Sequence, residues 1–174
     1  MTDRDNASTA LAGFIADVTT NPVDTAKQIA KRRKLQVPLS DGGTAGSASG
    51  EVNFFRADVA VKVVSVHYDG GVAITADNTN NAAFLVQKRP VSGPGTPATV
   101  ASATTAITDP VFGSNYVADT PLALTLSATA ANLSLAAGDI LTAKATKGGT
   151  GVAFGAAATA KGAQAYLHVV IEEL

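Results

Sequence analysis

Along most of this chain the large apolar side chains recur at every second position, and that period restricts what the chain can fold into. Val59, Val61 and Val63 alternate with Ala60, Lys62 and Val64, and the run continues to Tyr68. Leu122, Leu124 and Leu126 alternate with Ala123, Thr125 and Ser127, giving the cleanest two-faced strand in the chain. Ala165, Leu167, Val169 and Ile171 form one face of a last run, with Tyr166, His168 and Val170 on the other. A period of two sends successive side chains to opposite faces of an extended strand.

The breaks between runs have turn chemistry. Asp69-Gly70-Gly71 ends the first run, and Pro90 with the Gly/Pro-rich stretch 92–97 closes the strand Ala83–Arg89. The Thr- and Ala-rich stretch Ala98–Ile107 reads as an exposed strand. Ala137-Gly138-Asp139 turns into a strand over Ile140–Lys147, and Gly148-Gly149-Thr150-Gly151 turns again. Roughly seven or eight strands with no helical crossover predict an all-β antiparallel sandwich, either jelly-roll or immunoglobulin-like. The apolar content is 46% but aromatics are only 5%, with no Trp, so Ala, Val and Leu must fill the core. That suits thin packed sheets better than a deep aromatic pocket.

Residues 1–34 read differently. Leu11, Phe14, Ile15 and Val18 repeat at helical spacing behind a cap at Ser8 or Thr9. Asn21-Pro22-Val23-Asp24 then carries a helix-start signature: Asn as N-cap, Pro at the first helical position and Asp near the positive dipole end. This second helix is expected to pass Ala26 and Ile29 and end in Lys31-Arg32-Arg33-Lys34, where basic charge complements the dipole. Ser40–Gly50 is a Gly/Ser linker by composition. The expected organisation is a helical arm over 1–39, a linker over 40–50 and a sandwich over 51–174.

Net charge is −1, which gives no general reason to expect nucleic-acid binding. Basic charge is concentrated at Lys27 and Lys31–Lys34. There are no cysteines, so disulfides and thiolate metal sites are excluded. No apolar run approaches the ~20 residues of a membrane-spanning helix, and the first residues lack a secretory pattern. A soluble protein made in the cytoplasm is the expectation.

Little in the sequence points to catalysis. Gly46-Ser47-Ala48-Ser49-Gly50 has the outline of a nucleophile elbow, but its central position is Ala48. His67 and His168 each sit singly on a strand, and a triad or metal site would need partners from distant strands. Asp77-Asn78-Thr79-Asn80-Asn81 clusters side-chain oxygens as a Ca²⁺ loop does, but lacks the central Gly and late Glu of an EF-hand; a plain Asx turn is the favoured reading. Gly148-Gly149-Thr150-Gly151 is not followed by a helix, as a phosphate cradle requires. The expectation is a protein that is not an enzyme, with no catalytic or metal residues and no cofactor.

Three segments together resemble a group of small virion proteins of tailed bacteriophages. They are Ala73–Ala82 leading into the strand that ends Lys88-Arg89, then Pro121–Ser127, and Asn132–Leu141 followed by Lys147–Val152. The match spans about residues 58–174 and leaves the helical arm outside. The resemblance implies a jelly-roll-like domain on the capsid exterior. It also implies a decoration (cement) protein that sits as a homotrimer where major capsid protein subunits meet and stabilises the shell. On this reading Lys31, Arg32, Arg33 and Lys34 are candidates for docking on an acidic capsid surface, against the alternative of a solvated helix end; DNA contact is the least expected role. Phe54 and Phe55 are candidate anchors, although a first core strand explains them equally well. A head-fibre or tail-associated receptor- or glycan-binding sandwich is the alternative function.

Overall fold

A computed structural model of the chain describes residues 31–39, 51–91, 95–109, 113–149 and 165–174. The chain divides between Arg33 and Lys34 into two units. Of the first unit the described residues are Lys31, Arg32 and Arg33, all exposed; the two expected helices and the 40–50 linker lie outside the described residues. The described residues of the second unit are mostly β-strand.

The strands are β1 (Arg32–Leu39), β2 (Val52–Arg56), β3 (Val61–Gly70), β4 (Ala82–Arg89), β5 (Ala98–Thr104), β6 (Leu122–Ala123), β7 (Thr125–Leu126), β8 (Ser134–Leu135), β9 (Ile140–Lys147) and β10 (Ala165–Glu173). A single helical turn, α1 (Ala130–Leu133), precedes β8. One sheet has the order β1-β10-β3-β6, with β8 also on β3, and the other has the order β2-β9-β4-β5-β7. The long ladders β3–β10, β4–β9 and β4–β5 are antiparallel.

The core lies between the two inner faces. In β10 the buried residues are Ala165, Leu167, Val169 and Ile171, the face that the alternation predicts. Opposite them in β4 are Ala82, Phe84 and Val86. The Tyr68 ring of one sheet stacks on the Phe84 ring of the other at 3.9 Å, and Tyr116 meets Tyr68 edge-on at 4.8 Å. This aromatic cluster is the bulkiest part of an otherwise aliphatic core, and such pairs add about 0.5–1.5 kcal/mol each beyond their buried area.

Four expectations need correction. Arg32, Arg33 and Lys34 do not end a helix; they open β1, whose Leu35, Val37 and Leu39 alternate with Lys34, Gln36 and Pro38. Val37 and Leu39 are buried in the core, so the sheet begins well before residue 51. The period of two was present over these residues, but the basic run at a helix end masked it. The run Leu122–Leu126 is not one strand. β6 pairs with β3 in one sheet and β7 with β5 in the other, while Leu124, buried between them, donates its N–H to Val66 O at 2.9 Å. The segment crosses from sheet to sheet, as sandwich corners do.

β5 is not exposed either: it is flanked by β4 and β7, and Val100, Ala101 and Ala103 are buried. Small side chains there let the neighbouring layers approach closely. Finally, β3 begins at Val61 and runs through Asp69 and Gly70, so the turn starts later than Asp69-Gly70-Gly71 suggests. Gly70 is paired with Ala165, and its lack of a side chain accommodates the Tyr68 hydroxyl, against which a Cβ would collide.

Candidate functional site

The outer face of the first sheet brings several titratable side chains together. β10 lies between β1 and β3, and its outward residues are Tyr166, His168 and Val170. In the β3–β10 register His168 stands directly opposite His67, Val170 opposite Ser65 and Tyr166 opposite Asp69. Directly opposed residues of an antiparallel pair present their side chains on one face. Lys34 approaches from β1 and Pro121 from the segment before β6. Together with Ser65, His67, Asp69, His168 and Val170 they line an open cleft of about 350 Å³.

His168 occupies the middle of this cleft. Its side chain is 16% exposed, its Nε2 lies 3.9 Å from Asp69 Oδ2, and its buried Nδ1 has no hydrogen-bond partner. Burial, then the charges of Lys34 and His67, hold its pKa below the usual imidazole value against the opposing pull of Asp69. The sequence places the two histidines a hundred residues apart with no sign of their register, and only strand pairing brings them together. Among the described residues no three His, Asp or Glu side chains are arranged to hold a metal ion.

The other expected site residues fall in separate places. Lys31 is helical, Arg32, Arg33 and Lys34 lie on β1, and all four are exposed. Phe54 and Phe55 lie on β2 at the edge of the second sheet, where the ladder to β9 carries a bulge between Asn53 and Phe55. Both rings are half-buried and packed against the core.

The oxygen-rich segment 77–81 is an Asx turn. Asp77 Oδ1 accepts from the N–H groups of Thr79 at 2.7 Å and Asn80 at 2.5 Å, and these bonds, Asn80 first, hold the carboxyl below its ordinary pKa. Asn78 Oδ1 accepts from Thr108 N at 2.9 Å, and Asn81 O accepts from Gly148 N at 2.7 Å. Asp77 Oδ1 and Asn78 Oδ1 thus face the protein's own amides, and Gly148 and Gly149 lie close against Thr79, Asn80 and Asn81.

A different surface emerges at the end of the sandwich that holds the 57–60, 90–91 and 136–139 connections. Ala57 N donates to Asp139 O at 2.9 Å and Gly138 N to Ala57 O at 2.6 Å. The buried Asp139 carboxylate accepts from Val91 N at 3.1 Å and from Ala136 N at 3.0 Å. Lys88 Nζ crosses from the second sheet to donate to Ala131 O and Ser134 O at 2.7 and 2.9 Å. Leu174 N donates to Ala60 O at 3.1 Å, bringing the last residue to the same end. On this fastened end Val59, Val91 and Leu174 are 48%, 56% and 69% exposed. Exposed apolar side chains brought together in this way mark contact surfaces more often than isolated ones do.

No protein-family model matches the chain. A search of curated proteins finds no match either.

Proposed function

We propose that this chain is a structural protein of a tailed-phage virion, a jelly-roll-like decoration protein that binds the outer surface of the major capsid shell as a homotrimer. The observation that carries this reading is the hydrogen-bonded end of the sandwich, with Val59 and Val91 exposed on connections that Asp139 fastens and Leu174 exposed where its N–H bonds Ala60 O. Pre-ordered loops bind with little further loss of conformational freedom, so their apolar area converts into affinity efficiently. The resemblance of residues 58–174 to small phage virion proteins supplies the partner, and the same Ala136–Asp139 turn lies within the segments that carry it. A protein that binds the assembled shell but not its dissociated subunits stabilises the shell by mass action. A trimer would add avidity. The exposed basic residues Lys31–Lys34 suit an acidic patch on the shell as a second contact.

Glycan binding by a fibre or tail protein is the competing reading. Sugar-binding faces usually offer aromatic platforms; here Tyr68 and Tyr116 are buried, Tyr166 is the one tyrosine on an outward face, and Trp is absent. That favours shell binding.

Co-sedimentation with intact phage heads is the direct test. Stoichiometric binding to heads, lost on Val59→Asp with Val91→Asp while the variant stays folded, is the expected result. Retention on glycans or host cells without binding to any head would overturn the proposal. An electron-microscopy map of particles with and without the protein would then give its position and copy number.

A further inference from the structure

Three nitrogen bases from three adjacent strands stand side by side on the outer face of the first sheet. Lys34 is on β1, His168 on β10 and His67 on β3, with His168 in the middle. With His168 neutral, the charges beside its ring are the Lys34 ammonium and the Asp69 carboxylate. Acid adds a proton to the His168 imidazole, whose positive charge then faces the Lys34 ammonium. We propose that this row is an acid-operated latch on β1: protonation of His168 repels Lys34 and frees β1 from β10.

The geometry decides which element moves. β10 is held on both sides and β3 carries β10, β6 and β8, whereas β1 lies at the edge of the described sheet and, among the described residues, pairs with β10 alone. Its Lys34, Gln36 and Pro38 face outward, and its hold on the core comes from Val37 and Leu39 with partial help from Leu35. An edge strand is the part of a sheet that opens at least cost. The groups facing His168 are Lys34 from β1, His67, Ser65 and Asp69 from β3, Tyr166 and Val170 from its own strand, and Pro121. Of these only Asp69 favours the protonated ring, and at 3.9 Å it is beyond hydrogen-bond reach.

The sign follows from linkage. With β1 docked, burial and Lys34 keep the His168 pKa low; with β1 released, Lys34 leaves, water reaches the ring, and the pKa returns toward its ordinary value. The released form therefore binds more protons, and acid favours it. Docking is strongest above the ordinary imidazole pKa and weakens as pH falls below about 6.5. Asp69 acts as a brake, because it stabilises the imidazolium in the docked form.

The test is amide hydrogen exchange on the full chain at pH 7.5 and pH 5.0, expressed as protection factors so that the intrinsic effect of pH on exchange is removed. The expected result is a loss of protection in 35–39 at pH 5.0 that β4 and β9 do not share. Lys34→Met should reduce the loss, His168→Gln should abolish it, and Asp69→Asn should enlarge it. Unchanged protection of β1 in the wild-type protein would overturn the latch. So would an equal loss across β4 and β9, or a loss that survives His168→Gln. Should His168→Gln fail to fold, Lys34→Met decides alone, since it leaves the imidazole in place.

Discussion

The Tyr116 hydroxyl satisfies both backbone groups of Gly70, accepting from its N–H at 2.8 Å and donating to its carbonyl at 2.9 Å. A residue in the 113–121 connection thereby completes the end of β3, and the isolated bridge between Ile74 and Tyr116 fixes the same connection from the other side. The carbonyl of Gly70 has a second donor in Asp119 N, but its N–H depends on the tyrosine. Tyr116→Phe should therefore leave a buried donor unpaired and cost about 1–3 kcal/mol. Urea denaturation would measure it, and a change within experimental error would show that the bond contributes nothing net.

Tyr68 offers the opposite case. Its hydroxyl is buried with no hydrogen-bond partner, and burial raises its pKa strongly. Tyr68→Phe should be neutral or stabilising by up to about 1 kcal/mol, because the removed group gains nothing in the folded state. Gly70→Ala should destabilise by about 1–3 kcal/mol through overpacking against the same hydroxyl. The two changes should couple, with Gly70→Ala costing less in the Tyr68→Phe background. Strict additivity in a double-mutant cycle would show that the contact is not the cause.

Asp139 fastens three connections at once. Asp139→Ala removes the acceptor for Val91 N and Ala136 N and should cost about 2–4 kcal/mol. Asp139→Asn keeps one acceptor oxygen and should cost less. If shell binding uses this end, the alanine variant should also bind heads more weakly than its loss of stability explains.

Glu51 is held by the Arg89 fork at 2.7–2.9 Å and, second, by Thr142, so its pKa lies below the usual carboxylate value. A depressed carboxylate stabilises the fold above its unfolded pKa, and that contribution disappears as pH falls through the lower folded value. Stability should thus decline between about pH 5 and pH 3, and Glu51→Gln should flatten the decline. The pair is partly exposed, so the effect should be small and weaken further at high salt. An acid titration of unfolding at two ionic strengths would check both.

Much of the fold was legible because burial follows the period of two. Leu167, Val169 and Ile171 face the core as their spacing predicts, and Phe84 and Val86 do the same in β4. The failures have physical causes. In Leu122–Leu126 the alternation is real, but Leu124 buries itself between sheets where a single strand would put all three leucines on one face. In Arg32–Lys34 the charge pattern fits a helix terminus and an edge strand equally well, since exposed cations suit both. The histidine cleft was illegible for another reason. Each histidine is an ordinary outward-facing residue of its strand, and register across distant strands is not a local property. Asp139 was visible only as part of a turn, because nothing in Ala-Gly-Asp reveals that the carboxylate will be buried and doubly bonded.

The place of β10 in its sheet has a consequence for how the protein is made. Ala165–Glu173 runs between β1 on one flank and β3 on the other, so those two earlier strands have no common neighbour until residues 165–173 have been synthesised. Closure of that sheet joins residues about a hundred positions apart, which makes it a slow step governed by long-range loop closure. A stalled or clipped chain would offer two bare strand edges where the finished protein has a continuous ladder, and such a product should aggregate instead of persisting as a half-built domain.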